Sequence, residues 1–273
     1  MKRLFPLLAL TALASTLAAC GGGGGSNNTT STGAPSVPNP IVYCVDTTYP
    51  PMESIVNGKP AGADIDIANA IAKQLGSTAQ IKSTGFTVII PALLHKKCNA
   101  IISSMTITAD RAKQVHFTPY ITVGAFLMVK KSNPEHITGL ASLSGKSAAV
   151  EASTTELAAL QAENKTLQKQ GKPLITIKQY PADTSAAAAI QANKVTAYFA
   201  DAPPVLYYIR TTHGKFVQTT GTQLMTAPEG IATRKGDPLG AQINNAVQAL
   251  YLNGKMKTIL AKWQASQFAL KNQ

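Results

Sequence analysis

The sequence predicts an α/β fold in which short buried strands alternate with helices. Continuous apolar runs of about five residues, bounded by turn residues, mark strands buried on both faces. Between them lie segments whose apolar residues recur at helical spacing, and the whole alternation, once completed, starts again further along the chain. Such alternation implies a parallel sheet covered on both sides. Ile41-Val42-Tyr43-Cys44-Val45 is the first strand. Over 64–75, Ile67, Ala68, Ile71 and Leu75 share one helical face, and Gly76 stands where a helix closes. A strand near 79–82, a helix around 88–95 and a strand at 100–102 complete the first unit. The second unit has strands at 147–150, 174–179 and 197–200, with helices at 155–168 and 185–192. Helices at 238–252 and 256–265 end the chain.

The N-terminus is of a different kind. Lys2-Arg3 precedes an apolar run from Leu4 to Leu17, and small residues lead to Cys20, which is the pattern of a secretory signal, here 1–19. That run is short for a membrane span, which needs about 20 apolar residues. Leu17-Ala18-Ala19-Cys20 resembles a bacterial lipobox, which implies a diacylglyceryl group on Cys20 and anchoring to the membrane. Residues 20–39, with five consecutive glycines and then Ser, Asn, Thr and spaced prolines, cannot bury a core and form a flexible tether. The folded part is therefore expected in the periplasm or at the cell surface, held by lipid.

The composition of the whole chain is that of an ordinary folded protein, with 45% hydrophobic and 14% charged residues and a mean hydropathy of +0.04. The net charge of +12 includes Lys2 and Arg3. Export, few aromatics and the lack of a dense Lys/Arg run exclude nucleic acid as partner, and the charge is read as a solvated surface. Cys44 and Cys98 are the cysteines left after Cys20. On neighbouring parallel strands they would be offset by several residues at about 3.3 Å each, beyond the roughly 7 Å limit on Cα separation in a bridge, so two free thiols are expected. The four histidines are scattered, which gives no metal-ligand spacing.

The run Ser103-Ser104-Met105-Thr106-Ile107-Thr108-Ala109-Asp110-Arg111 ends a strand in small hydroxyl residues. It then presents an arginine from a short helix capped by Thr108. Hydroxyls, free N–H groups and a planar guanidinium together suit a carboxylate. With Val115-His116-Phe117-Thr118-Pro119-Tyr120, this segment resembles the signature of the periplasmic amino-acid-binding proteins of ABC importers, the solute-binding proteins of family 3. That resemblance covers nearly all of the chain from Ile41. It implies a two-lobed periplasmic binding protein-like fold of type II, with two mixed, mainly parallel sheets joined by a double-crossing hinge. Lobe 1 would be 40–124 plus 228–273 and lobe 2 would be 125–227, with crossings near 121–126 and 225–229.

The resemblance also assigns residues. Arg111 would hold the ligand's α-carboxylate, beside Ser104 and Thr106. Asp201, in Asp201-Ala202-Pro203-Pro204, matches the family's Asp-x-Pro segment and would receive the α-ammonium, although capping of the next helix is the competing role. Ser153-Thr154-Thr155 matches a Gly-Thr-Thr turn with serine for glycine, and Thr155 would give a second carboxylate contact at a helix N-terminus. Tyr49, in Asp46-Thr47-Thr48-Tyr49-Pro50-Pro51-Met52-Glu53, and Phe86 would flank the ligand's side chain. Asp46 would point at its distal end, while Glu53 is assigned to a turn. If Glu151 also faces the cleft, the distal end is acidic and selects a cationic side chain.

The function so implied is a monomeric extracytoplasmic receptor that takes a polar, cationic amino acid to the transmembrane subunits of an ABC permease, without cofactor, metal or catalysis. Its competitor on the same fold is a secreted cyclohexadienyl dehydratase-like lyase, with Glu156 as the acid. Asp201 argues against that lyase, because a keto-acid offers it no ammonium. A surface adhesin or sensor would keep the tether and need neither charge.

Overall fold

A computed structural model describes residues 36–219 and 223–271. The leader, Cys20 and most of the tether lie outside the described residues. The first unit comprises β1 (Ile41–Val45), β2 (Thr48–Tyr49), β3 (Glu53–Val56), β4 (Lys59–Ala61), α1 (Ala63–Gln74), β5 (Ala79–Ser83), α2 (Phe86–Leu94), β6 (Ala100–Ile101) and α3 (Ala109–Gln114). A long strand, β7 (Val115–Lys130), leads to the second unit: β8 (Ser147–Glu151), α4 (Thr155–Lys169), β9 (Thr176–Tyr180), α5 (Asp183–Gln191), β10 (Ala197–Asp201), α6 (Ala202–Thr211) and β11 (Phe216–Gln218). A second long strand, β12 (Leu224–Arg234), returns to α7 (Leu239–Leu252) and α8 (Lys255–Lys262). The strands and helices expected from periodicity are present with small shifts at their ends. The β2–β3–β4 sheet and β11 were not expected, being too short to show a period.

The strands run in the order β5-β1-β6-β12-β7-β10-β8-β9, with β11 against β7. Where two sheets were implied, they join into one nine-stranded mixed sheet. The reason is the length of β7 and β12: β12 pairs with β6 at Ala232 and Thr233, while β7 pairs with β10 through Ala125 to Met128. The segments expected as crossings lie side by side, with Ile121 opposite Glu229 and Val123 opposite Ala227. Gly124 sits in that pair, and a Cβ there would come within 2.6 Å of the Gln223 side chain, so the close approach needs glycine.

In the first unit β1 pairs in parallel with β5 and β6, and Ile67, Ala68 and Ile71 of α1 are buried in the main core. In the second, β8 lies parallel to β9 and β10, covered by Leu157, Leu160 and Leu167 of α4. The carboxyl ends of β1, β6, β8 and β10 therefore meet near the middle of the sheet, the place where open α/β sheets take ligands.

One expectation is overturned. Cys44 and Cys98 form a disulfide, with their Cα atoms 5.7 Å apart. The offset argument fails because Cys98 does not extend the line of β6, which begins only at Ala100. It belongs to the turn leaving α2, where Lys96 takes φ 58° and Asn99 bonds to both polar groups of the Val42 backbone. That turn brings Cys98 into one apolar cluster with Cys44, Ile89 and Leu93.

Candidate functional site

Arg111 is carried by α3, whose N-cap Thr108 accepts a hydrogen bond from the Arg111 N–H at 3.2 Å. The side chain does not serve its own helix, since Asp110 pairs with Lys113 instead. Its guanidinium donates to the Thr106 carbonyl at 2.8 Å and to the Ser153 carbonyl at 3.1 Å, and lies 5.2 Å from the centre of the Phe86 ring. Burial lowers its pKa, against the opposing pull of Glu156, Asp201 and Glu229. Ser153 holds φ 67°, the left-handed shape that glycine takes at less cost. The turn therefore survives the substitution.

Asp201 precedes α6 but makes no capping bond with its side chain. Its Oδ2 accepts from the Tyr49 hydroxyl at 2.7 Å, so the competing role as a cap does not apply. Burial, then Glu156 and Glu229, push its pKa well above the usual carboxylate range. At the start of α4 the cap is Thr154, which accepts from Leu157 N–H at 3.2 Å. The Thr155 hydroxyl donates to Glu156 at 3.1 Å.

Asp46 follows β1 and accepts from protein donors: Thr48 N–H and hydroxyl on Oδ1, and the Phe86 N–H on Oδ2. Glu151 ends β8, and its pKa is pushed up to about 10 by burial, with Asp183 and Asp46 adding to it. Without a ligand, Glu151 is thus a neutral acid at physiological pH. Asp183, at the first turn of α5, has its pKa raised to about 8, mainly by burial. A carboxylate kept neutral for want of a countercharge is a site for an incoming cation.

Ser103 and Ser104 are held from below. The Ser103 hydroxyl accepts from the Asp46 N–H at 2.9 Å and donates to Glu53 at 3.0 Å, while the Ser104 N–H donates to Asp64, whose two oxygens share the single O–H of Tyr120. Burial raises the pKa of Asp64 to about 6 and that of Glu53 well above its ordinary value.

All nine residues expected at the ligand, Asp46, Tyr49, Phe86, Ser104, Thr106, Arg111, Glu151, Thr155 and Asp201, line one cavity. Four others line it too: Glu53, Ser103, Thr154 and Glu156. Glu53 had been assigned to a turn; the aspartate-x-x-aromatic-x-Pro-x-Glu spacing put it near the site, but only the fold shows its carboxyl under Ser103. Among the lining residues there is one cation, Arg111, against the carboxyl groups of Asp46, Glu53, Glu151, Glu156 and Asp201.

Residues 41–266 match the bacterial extracellular solute-binding proteins, family 3. The chain belongs to this family. Among curated relatives, the ABC transporter arginine-binding protein 1 of Escherichia coli K12 is 32% identical over 229 residues, covering 82% of this chain and 90% of that protein. The L-arginine-binding protein of Pseudomonas aeruginosa PAO1 is 33% identical over 234 residues, covering 82% and 87%. Among solved structures, an ancestral arginine-binding protein bound to arginine superposes with a TM-score of 0.75 at 33% identity, covering 83% of this chain and 98% of that one.

As a member of the solute-binding family the protein is an amino-acid-binding component of ABC transport that works outside the cytoplasm, and its relatives are binding proteins, not lyases. The α/β architecture of the binding protein agrees with theirs. Its arrangement of charge suits a receptor: one guanidinium faces several carboxyl groups across the cavity.

Proposed function

We propose that this protein binds a basic amino acid, arginine foremost, and delivers it to the transmembrane subunits of an ABC permease. The observation that carries this is the charge set of the cavity, with Arg111 alone against five carboxyl groups drawn from both ends. A ligand with one carboxylate and two cationic groups matches that set. Arg111, assisted by Ser104, Thr106 and Thr155, takes the α-carboxylate, Asp201 the α-ammonium, and Asp46 with Glu151 the distal cation between Tyr49 and Phe86. The names of the relatives support arginine.

Residues 40–124 with 228–273, and residues 125–227, act as two lobes that close on the ligand. Side-chain hydrogen bonds that tie them include Tyr49 to Asp201, Arg111 to the Ser153 carbonyl, and the Asp183 N–H to the Thr48 hydroxyl. A ligand touching both lobes stabilises the closed form over the open one. The receptor works as a monomer, tethered through a diacylglyceryl group on Cys20. Mass spectrometry of the membrane fraction should find the mature chain starting at lipidated Cys20; an unmodified start elsewhere rules the anchor out.

Calorimetry tests the ligand class. Arginine, lysine, ornithine or histidine should bind at least tenfold more tightly than leucine or glutamine, since about 1.4 kcal/mol is tenfold in affinity and an unpaired buried charge costs more than that. Glu151→Leu should narrow the gap by weakening arginine and leaving leucine little changed. Tighter binding of glutamine or leucine than of every basic amino acid contradicts the proposal.

A further inference from the structure

Glu156 lies in the first turn of α4, 3% exposed, and lines the cavity. Its Oε2 accepts from the Thr155 hydroxyl, but its Oε1 meets no donor although it is buried. Its carboxyl lies beside that of Asp201 in the cavity lining, and Asp201 holds one bond of its own from Tyr49. Two buried carboxylates side by side cannot both stay ionised, so such a pair keeps one proton between them. The one negative charge that remains is favoured by the N-terminus of a fifteen-residue helix and by Arg111.

The groups around the pair come from several elements. Arg111 on α3 supplies the positive charge, while Glu229 on β12, Asp183 on α5 and Glu151 at the end of β8 are acids, and Tyr49 on β2 and Thr155 on α4 are hydroxyl donors. Burial raises the pKa of both members of the pair. An ammonium brings three N–H donors and a full positive charge, which is what two buried carboxylates lack.

We propose that Glu156 and Asp201 share one proton in the ligand-free protein and that the α-ammonium of the bound amino acid replaces it, making Glu156 a second receptor for that ammonium. The inference rests on the amino-acid reading above. Binding near neutral pH then proceeds with release of the shared proton to solvent, and raising the pH favours it.

Calorimetry of the mature protein at pH 7, in buffers of different ionisation enthalpy, counts the protons. Arginine should release one proton more from wild type than from Glu156→Gln, whose amide donates to Asp201 and leaves no proton to displace. Correspondingly, the wild-type affinity should gain about an extra tenfold per pH unit over the variant. A second measurement uses wild type alone, so it does not depend on the variant folding: the arginine analogue lacking the α-amino group should release one proton fewer than arginine. Equal proton counts in either comparison, with arginine still binding, overturn the role of Glu156 and leave the receptor reading standing. Failure of every amino acid to bind wild type would remove both.

Discussion

Arg111→Ala abolishes useful binding of amino acids, raising Kd by roughly thirty- to four-thousand-fold. Losing one member of a buried, charge-assisted pair typically costs about 2 to 5 kcal/mol, and among the described residues this guanidinium is the only cation lining a cavity with five carboxyl groups. Its removal has two further effects. It cuts the bond to the Ser153 carbonyl, which spans the proposed lobes, and it takes away the charge that lowers the pKa of Glu156 and Glu229. Arg111→Lys should recover only part of the loss, because an ammonium keeps the charge without the planar fork that grips both carboxylate oxygens while bonding the Thr106 carbonyl. Calorimetry with arginine on the three proteins gives the order directly. Near wild-type affinity for Arg111→Ala would place the ligand's carboxylate elsewhere.

Replacing both cysteines, Cys44→Ala with Cys98→Ala, lowers stability by about 4 kcal/mol in the chain-entropy model, because the bridge closes a loop with a sequence separation of 54. For a folded chain of this size about 1 kcal/mol moves Tm by 2 to 4 °C, so the variant should melt roughly 8 to 16 °C lower. Neither cysteine lines the cavity. Arginine affinity well below the new Tm should therefore stay within about threefold of wild type, since neither sulfur touches the charged groups. Equal melting temperatures for the oxidised protein and the double variant would mean that the bridge constrains nothing. The bridge also places the folded part in an oxidising compartment, in keeping with the family's extracellular setting.

Much of the site was legible in the chain because the residues that matter stand at strand ends, and strand ends are marked by local composition. Asp46 after Ile41–Val45, Ser103 and Ser104 after Ala100–Ile101, Glu151 closing Ser147–Glu151 and Asp201 closing Ala197–Asp201 all follow apolar runs. Periodicity placed the helices for the same local reason. The expectation of two sheets was not met because pairing is a long-range property: the length of β7 and β12, and their contact with strands of both units, cannot be read from either segment alone.

Local sequence determined which groups this protein brings to the cavity: the capping hydroxyls, the arginine on its short helix, the acids at the ends of strands. Tertiary structure alone decided what state those groups are in. Tyr49 meets Asp201 across 152 residues, and that contact gives the aspartate a partner its own helix cannot, since Pro203 and Pro204 leave no N–H where a capping side chain bonds. Glu53 and Glu156 join the cavity because Ser103 and Asp201 are folded against them. Cys98 reaches Cys44 because the turn after α2 departs from the extended geometry that sequence spacing assumes. In each case the deciding quantity is burial among groups far away in the chain, which sets both the pKa of a carboxyl and the partner it can find.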